Sequence, residues 1–412
     1  MAVLYISYNG LTEPLGQRQV LPYLLGLSAR GWAYRVISFE KVETADSDSV
    51  ARVRQQFDER GIRWHPLRYH RRPTLPATAY DALRGLVVGL LAGRGIDLIH
   101  ARSTVPAALA RTLAVSLRVP WIFDVRGLVA QEYADAGHWP RGGQLFRLSQ
   151  RVEGTLFGHA DGLVFLTERI RGELRRQGSI PAGLPTAVIP CSVDTRAFQP
   201  QGAARRRVRA ELNLGDGPVL TYAGSLGSWY RFEEMLDFFV VARQQLPDLR
   251  FLVLTMNPEV AVAAVSGRRV ESGVIVRRLE PEQVPAHLAA ADAGICFLGE
   301  SFSKAASSPT KYGEYLATGL PVVTNGWTGD AVRLEADRTW LLVDGFDEES
   351  YRHVAVRLRG LLADPDRTRE AARSLAEREF SLETALDRYD ELYRQVLASP
   401  GERGKPLSSA RR

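Results

Sequence analysis

The chain has 412 residues, 45% of them hydrophobic and 24% charged, with 53 Lys+Arg against 47 Asp+Glu and a formal net charge of +6. That length suits two or three domains with a large core. Two cysteines, Cys191 and Cys296, exclude a disulfide scaffold; both sit among apolar neighbours and read as small buried residues.

The chain opens on Met-Ala-Val-Leu-Tyr-Ile-Ser, an apolar strand without a basic leader, so no secretory signal is expected. In the first half, strand-like runs fall at 2–7, 34–39, 98–101, 121–125, 162–166 and 187–189. Helical patterns lie between them at 20–30, 77–91, 105–117 and 144–157. The longest apolar run, 85–93, is closed off by Arg84 and Arg94 and falls short of the roughly 18 residues of a membrane span. The expected location is the cytoplasm, with a peripheral place at the inner face of the membrane as an extension of that reading. The second half repeats the rhythm, with strands expected at 219–223, 250–255, 273–276, 294–298, 321–324 and 340–343. The helix after the first of these carries Phe232, Met235, Leu236, Phe239 and Val240 on one face.

Continuous apolar strands separated by helices predict parallel sheets covered on both faces. The fold class is α/β, with two doubly wound, Rossmann-like domains facing across a cleft. The expected division is 1–198, 199–380, a helix over 381–398 that crosses back to the first domain, and a disordered tail over 399–412. Ser381 is the expected N-cap of that helix, and Leu382, Leu386, Tyr389, Leu392, Tyr393 and Val396 form its apolar stripe.

Charge is uneven. Residues 1–200 hold 25 Lys+Arg and 17 Asp+Glu, and the excess peaks between Arg52 and Arg72. A solvated face explains this as well as an attraction to an anionic membrane surface or an anionic acceptor. No nucleic-acid-binding module accompanies the charge, so no nucleic-acid partner is expected.

Ligands of doubly wound sheets bind beyond the C-terminal strand ends. Three segments occupy such places. After the first strand comes Tyr8-Asn9-Gly10-Leu11-Thr12-Glu13-Pro14-Leu15-Gly16-Gln17, where Gly16 would open a helix toward an anion and Pro22 would kink it. Gly224-Ser225-Leu226-Gly227-Ser228-Trp229-Tyr230-Arg231 joins a buried strand to a strong helix and suits a phosphate. It is neither a dinucleotide fingerprint nor a P-loop. In Ser307-Ser308-Pro309-Thr310-Lys311-Tyr312-Gly313-Glu314, Ser308 fits the N-cap and Pro309 the first turn. Thr310 and Lys311 add donors, and Glu314 lies one turn on, where a carboxylate can accept ribose hydroxyls. An ordinary turn and an ordinary capped helix remain the plain alternatives.

These residues resemble the retaining glycosyltransferases of the GT-B fold, in family four. The resemblance rests on Ser-Pro-Thr-Lys-x-x-Glu-Tyr-Leu-Ala-x-Gly-x-Pro-Val-Val at 308–323 and on Ile-Ser-Tyr-Asn-Gly-Leu-Thr-Glu-Pro-Leu-Gly-Gln near the start. Gly-Ser-Leu-Gly-Ser-Trp-Tyr and Val-Ile-Pro-x-x-Val-Asp-Thr-x-x-Phe at 188–198 add to it. It implies a nucleotide-sugar donor, with UDP favoured, held mainly by the C-terminal domain. Glu314 would take the ribose, while Gly224, Ser225, Gly227, Ser228, Arg231, Ser308, Thr310 and Lys311 surround the diphosphate. The segment 277–284, with Arg278 and Glu282, would read the base. The N-terminal domain would bring Gly16 and Gln17 near the phosphates and hold a glycan, lipid-linked or small-molecule acceptor. Its acceptor-side residues would be Arg102, Asp124, Arg126 and Glu132, with His100 either a core histidine or a further contact.

Several positions depart from the family pattern. A second Glu, eight residues before the ribose Glu, is here Ala306, and Glu300 is the nearby substitute. Ser225 stands where many members have Arg, and Arg231 where a loop Lys is common. Asp124-Val125-Arg126-Gly127 follows the fourth expected strand, where many carry His.

The resemblance implies sugar transfer, in cell-surface polysaccharide or glycoconjugate synthesis, without cofactor or metal. Cations and helix N-termini can stabilise a departing diphosphate unaided. An Asp-x-Asp before the nucleotide motifs, Asp46-Ser47-Asp48, reads as a solvated loop. The rival readings are a GT-B epimerase or phosphorylase, or a catalytically silent sugar-nucleotide-binding protein.

Overall fold

The computed structural model describes all residues except Pro73, Ser228, Arg269 and 400–412, together with the side chains of Thr74 and Leu75. Apart from Ser399, the expected tail lies outside the described residues. The chain forms two compact units. One is Met1–Pro190 together with the chain from Ala385, and the other is Cys191–Thr384.

The first unit holds seven strands: β1 (Ala2–Ser7), β2 (Ala33–Glu40), β3 (Arg63–Arg68), β4 (Leu98–Arg102), β5 (Trp121–Asp124), β6 (Gly162–Phe165) and β7 (Thr186–Val188). All pairs are parallel, in the order β3-β2-β1-β4-β5-β6-β7. The second unit holds β8 (Val219–Ala223), β9 (Arg250–Leu254), β10 (Val274–Arg277), β11 (Ala293–Cys296), β12 (Val322–Asn325) and β13 (Trp340–Val343). They too are parallel, in the order β10-β9-β8-β11-β12-β13. Strands β4, β5, β8 and β11 are buried along their whole length, as covered parallel sheets require. The expected two-domain Rossmann-like α/β class is the observed one.

The strand order across each sheet reverses once, between β1 and β4 and between β8 and β11. The loops after those strands are where such sheets bind ligands.

Several elements differ from expectation. Strand β3, Arg-Trp-His-Pro-Leu-Arg, is the edge of its sheet, where charged residues and Pro66 are tolerated because only one side is paired. The charge peak at 52–72 therefore covers a helix (Ser47–Asp58) and this strand. The helix expected over 20–30 is observed at Leu21–Ala29, and a separate short helix, Pro14–Gln19, precedes it and is broken from it at Val20. The break places Pro22 in a first turn, where its missing N–H costs nothing. The Asp-x-Asp is a helix start rather than a loop. Asp46 caps Ser47–Asp58, its carboxylate accepting from the Ser49 N–H at 2.8 Å. In the helix Phe232–Arg243, Val240 is exposed while Phe238 and Val241 are buried. Cys296 is buried, and burial pushes its thiol pKa up; Cys191 is only half-buried.

Ser381 does cap the last helix, Leu382–Ala398, accepting from the Thr384 N–H at 3.1 Å. Leu386, Tyr389, Leu392, Tyr393 and Val396 are buried on its inner face.

Candidate functional site

In the second unit, β8 ends at Ala223 and the chain turns at Gly224 with φ +146°, a conformation that glycine adopts without penalty. A Cβ there would stand 2.8 Å from Lys311 Nζ. The loop that follows is fastened to the segment after β11. Tyr230 bridges to Leu298, the Arg231 N–H donates to the Phe297 carbonyl at 3.0 Å, and the Gly299 N–H donates to the Trp229 carbonyl at 2.8 Å. The two loops flanking the switch point thus form one layer.

Two lysines lie against that layer. Lys311, 4% exposed, has its ammonium 3.5 Å from the centre of the Tyr230 ring and 4.7 Å from that of Tyr222. It also donates to the Tyr222 hydroxyl at 3.4 Å. Lys304, 6% exposed, lies 3.6 Å from the Trp229 ring centre. Aromatic faces attract cations without neutralising them, so both side chains keep their positive charge. Glu314 is buried one turn along the helix from Lys311.

Sequence reasoning missed Lys304, Tyr222, Trp229 and Tyr230. A signal existed. The chain has four lysines against forty-nine arginines, and two of the four fall within 304–311. A chain that uses arginine nearly everywhere departs from it where a compact ammonium fits and a planar fork does not.

Other expected donor-side residues are placed differently. The helix starts at Thr310 rather than after Ser308, because Pro309 has an extended ψ of 129° and takes the cap position, without a side-chain cap bond. Ser308 Oγ instead accepts from the Cys191 N–H at 3.3 Å. Arg231 does not join the lysines; it pairs with Glu234 and lies over the Phe346 ring. Ser225 and Gly227 are exposed, and the Ser225 carbonyl accepts from the Tyr222 hydroxyl at 2.5 Å. Arg278 and Glu282 are exposed beyond β10, as is Glu300 beyond β11. Ala306 is buried in the turn Phe302–Ala306. Ser228 lies outside the described residues.

In the first unit, His100, Arg102, Asp124 and Arg126 come together at the C-terminal ends of β4 and β5. Asp124, fully buried, pairs with Arg126 Nε at 2.9 Å and with Arg102 at 3.6 Å, and lies 3.4 Å from His100 Nε2. Tyr389 of the last helix donates to Asp124 at 3.2 Å, and Tyr393 meets His100 Nδ1 at 2.5 Å. Burial alone would raise the Asp124 pKa. The Arg126 guanidinium, the His100 hydrogen bond and Arg102 outweigh it and hold the carboxyl well below the usual range. Burial likewise lowers the His100 pKa, which Asp124 only partly restores. The imidazole is therefore neutral near pH 7, and a Tyr393 hydroxyl donating to Nδ1 leaves the proton on Nε2, facing Asp124. His100 is both a core histidine and a brace for the acid.

Next to this cluster, Ser103 adopts φ 76°, ψ 171°, a region almost reserved for glycine. Glu132 folds back on the chain, its Oε1 2.1 Å from where a Gly127 Cβ would stand. Glu153 accepts from the Val129 N–H at 2.7 Å, and burial pushes its carboxyl up to about 7. Gly16 is buried against a loop, and the exposed Gln17 braces the same loop. A Cβ on Gly16 would lie 2.0 Å from the Gly10 carbonyl, and the Gln17 amide donates to the Leu11 carbonyl at 2.5 Å. Buried Glu40 completes that loop, accepting from the N–H groups of Leu11 and Thr12 at 2.8 and 3.1 Å.

The chain is similar to known proteins in part of its sequence and in its fold. Residues 16–192 match the glycosyl transferase 4-like domain. A GDP-mannose-dependent alpha-(1-6)-phosphatidylinositol monomannoside mannosyltransferase of Mycolicibacterium smegmatis is 26% identical over 335 residues, 80% of this chain and 83% of that one. Sucrose-phosphate synthase of Thermosynechococcus elongatus has the same fold at 19% identity, with a TM-score of 0.69 over 96% of this chain and 99% of the other. Anabaena Alr3699/HepE, solved in complex with UDP and glucose, gives a TM-score of 0.68 at 16% identity over 96% of this chain and 100% of that one. At these identities the structural likeness speaks for the fold alone. Taken with the domain matched over residues 16–192, it supports a glycosyltransferase with the GT-B fold.

Proposed function

We propose that the enzyme transfers a sugar from a nucleoside diphosphate sugar to a hydroxyl acceptor, with retention of anomeric configuration and without metal. The observation that carries this reading is the pair of buried, aromatic-backed ammonium groups of Lys304 and Lys311 under the loop that ends β8. The positions where many relatives hold loop cations are Ser225 and Arg231 here, and Arg231 is engaged with Glu234. Lys304 and Lys311 take over the diphosphate, and Glu314 takes the ribose hydroxyls.

In the reaction, the bond from the anomeric carbon to the β-phosphate oxygen breaks as the acceptor oxygen bonds to that carbon from the same face. The acceptor proton passes to the departing phosphate oxygen. Charge grows on the diphosphate in the transition state, where fixed cations lower the barrier most. The loop 277–284 reads the base. The family resemblance favours UDP, and the GDP-mannose dependence of the mycobacterial relative gives weight to GDP.

The His100–Asp124–Arg126 cluster, with Arg102, shapes the acceptor side in the first unit. The acceptor is a glycan or lipid-linked molecule of cell-surface synthesis, reached from the inner face of the membrane. Among the described residues no helix is long and apolar enough to cross a membrane, so this access is peripheral.

Incubation with UDP-glucose and with GDP-mannose, with and without EDTA, tests the reading. Nucleotide release and proton NMR of the anomeric centre are the readouts. Release of one nucleotide that survives EDTA, with a retained α-linkage, is the expected result. Loss of turnover in EDTA or an inverted product would overturn the corresponding part.

A further inference from the structure

Beyond strand β3 the chain turns through Tyr69-His70-Arg71-Arg72 and enters the helix Thr74–Ala92. Asp81 of that helix is fully buried and accepts from His70 twice, from the main-chain N–H at 2.8 Å and from ring Nδ1 at 2.6 Å. The turn is thereby fixed to the helix. A ring held at Nδ1 keeps Nε2 for another partner, and none engages it among the described residues.

Aromatic rings surround this turn. Tyr80 meets the His70 ring edge-on, with centres 5.2 Å apart, and is 54% exposed. The Arg84 guanidinium lies 5.7 Å from the Tyr80 ring centre. On the inner side Tyr69 packs edge-on against Tyr8 at 5.4 Å, and Tyr8 against Phe39 at 5.0 Å. Tyr8 follows β1, Phe39 lies near the end of β2, and His70 follows β3. The cluster therefore sits beyond C-terminal strand ends, where sheets of this kind bind ligands.

Charge around the turn has one sign. Between Tyr69 and Arg84 the only carboxylate is Asp81, which His70 occupies, and the cations are Arg71, Arg72 and Arg84. Arg71 and Arg72 are exposed and pair with no carboxylate among the described residues. Anchoring the turn accounts for Asp81. It does not account for an exposed tyrosine against an imidazole with a free nitrogen, beside two unpaired guanidinium groups.

We propose that Tyr80, His70, Arg71 and Arg72 form a second acceptor subsite, which holds a saccharide residue carrying a phosphate or a carboxylate. The C–H face of a pyranose packs on the Tyr80 ring, a sugar hydroxyl bonds to His70 Nε2, and the arginines meet the anion. The proposal rests on the transferase reading and narrows its acceptor. Strand β3 lies three places from β4 in the sheet, roughly 14 Å at the usual strand spacing. That is further than one pyranose ring reaches. An acceptor touching both this subsite and the Arg102–Asp124–Arg126 cluster is therefore an oligosaccharide, with its anionic residue remote from the bond that forms.

Saturation-transfer difference NMR of the full chain with glucose, glucose 6-phosphate and glucuronic acid tests the subsite with no donor present. Wild type is compared with Tyr80→Ala, Arg71→Ala/Arg72→Ala and Lys311→Met. Tyr80, Arg71 and Arg72 are exposed, and circular dichroism checks that each variant is folded. The anionic probes should bind, with glucose weaker by about fivefold or more. Their affinity should fall by about fivefold in Tyr80→Ala and by about fivefold or more in the double arginine variant. It should be unchanged in Lys311→Met. The tighter of the two anionic probes tells a phosphate from a carboxylate. No binding of either, equal binding of glucose, or binding that both first-unit variants keep would overturn the inference. Binding lost only in Lys311→Met would place the probes on the donor side and overturn it as well. Failure of the transferase reading is read separately, as no nucleotide release from UDP-glucose or GDP-mannose; it would remove the acceptor role and leave the saccharide site standing.

Discussion

The ammonium of Lys311 lies 3.5 Å from the centre of the Tyr230 ring, and Tyr230 is held in place by its bridge to Leu298. The cation is thus backed by an aromatic face fixed to the strand end, and under the proposed function it would need no reorganisation as charge develops on the diphosphate. Lys311→Met should keep the fold and lower kcat/KM by about 100-fold or more, the usual cost of removing one preorganised charge-stabilising donor. Lys304→Met should fall in the same direction. Lys311→Arg should not rescue activity, because a planar guanidinium does not reproduce the compact ammonium held against the Tyr230 ring. Steady-state kinetics with the preferred donor checks all three.

Gly224→Ala adds a Cβ 2.8 Å from Lys311 Nζ at φ +146°. Because the ammonium must move, donor KM should rise by tenfold or more. Backbone strain should lower stability by about 1–3 kcal/mol. Kinetics and urea unfolding separate the two effects.

Strands were legible where they are Val-, Ile- and Leu-rich and buried, as in β1, β8 and β13. Strand β3 was not, because an edge strand can carry Arg63, Pro66 and Arg68 and loses its apolar signature. The helix Glu168–Arg176 was missed for a related reason: only Ile170 and Leu174 are buried on it. Glu314 and Lys311 stood out through their motif. Lys304 lies in a 3-10 turn, and the faces of Tyr222, Trp229 and Tyr230 converge only through pairing between loops distant in sequence. Arg231 was legible as a cation, but its neighbour Glu234 captures it.

Asp124→Asn would leave Arg126 and Arg102 buried with their carboxylate partner gone. A loss of about 3–5 kcal/mol is expected, larger than for any surface pair. The folded Asp124 pKa is depressed, so its support for the fold is present above the ordinary carboxylate range and is lost as pH falls below it. Wild type should therefore lose stability steeply in acid, and Asp124→Asn should show a flatter acid limb in urea melts.

Glu153 behaves oppositely. Its folded pKa is raised from 4.5 to about 7 by burial. Its support for the fold is complete below 4.5 and fades as pH climbs through that window. Glu153→Gln keeps an acceptor for the Val129 N–H without the charge, so it should be more stable than wild type at pH 8, by up to about 3 kcal/mol. Denaturant unfolding at pH 5 and pH 8 checks this, and equal gains at both would contradict it.

Gly16→Ala would place a Cβ 2.0 Å from the Gly10 carbonyl, a backbone atom that cannot swing aside. Shifting the Glu40-bound loop should cost about 1–3 kcal/mol. Faster amide exchange at Leu11 and Thr12, whose N–H groups bond to Glu40, is the specific signature.

Thermal unfolding with UDP, GDP and ADP, on wild type and on Glu314→Gln and Lys311→Met, tests the donor site most directly. A nucleotide at about a hundred times its Kd adds roughly 2.7 kcal/mol, or several degrees at about 2–4 °C per kcal/mol for domains of this size. The expected result is a rise with one nucleoside diphosphate that is lost in both variants. No rise with any of them in wild type, or a rise that both variants keep, would contradict a donor site built on Lys311 and Glu314.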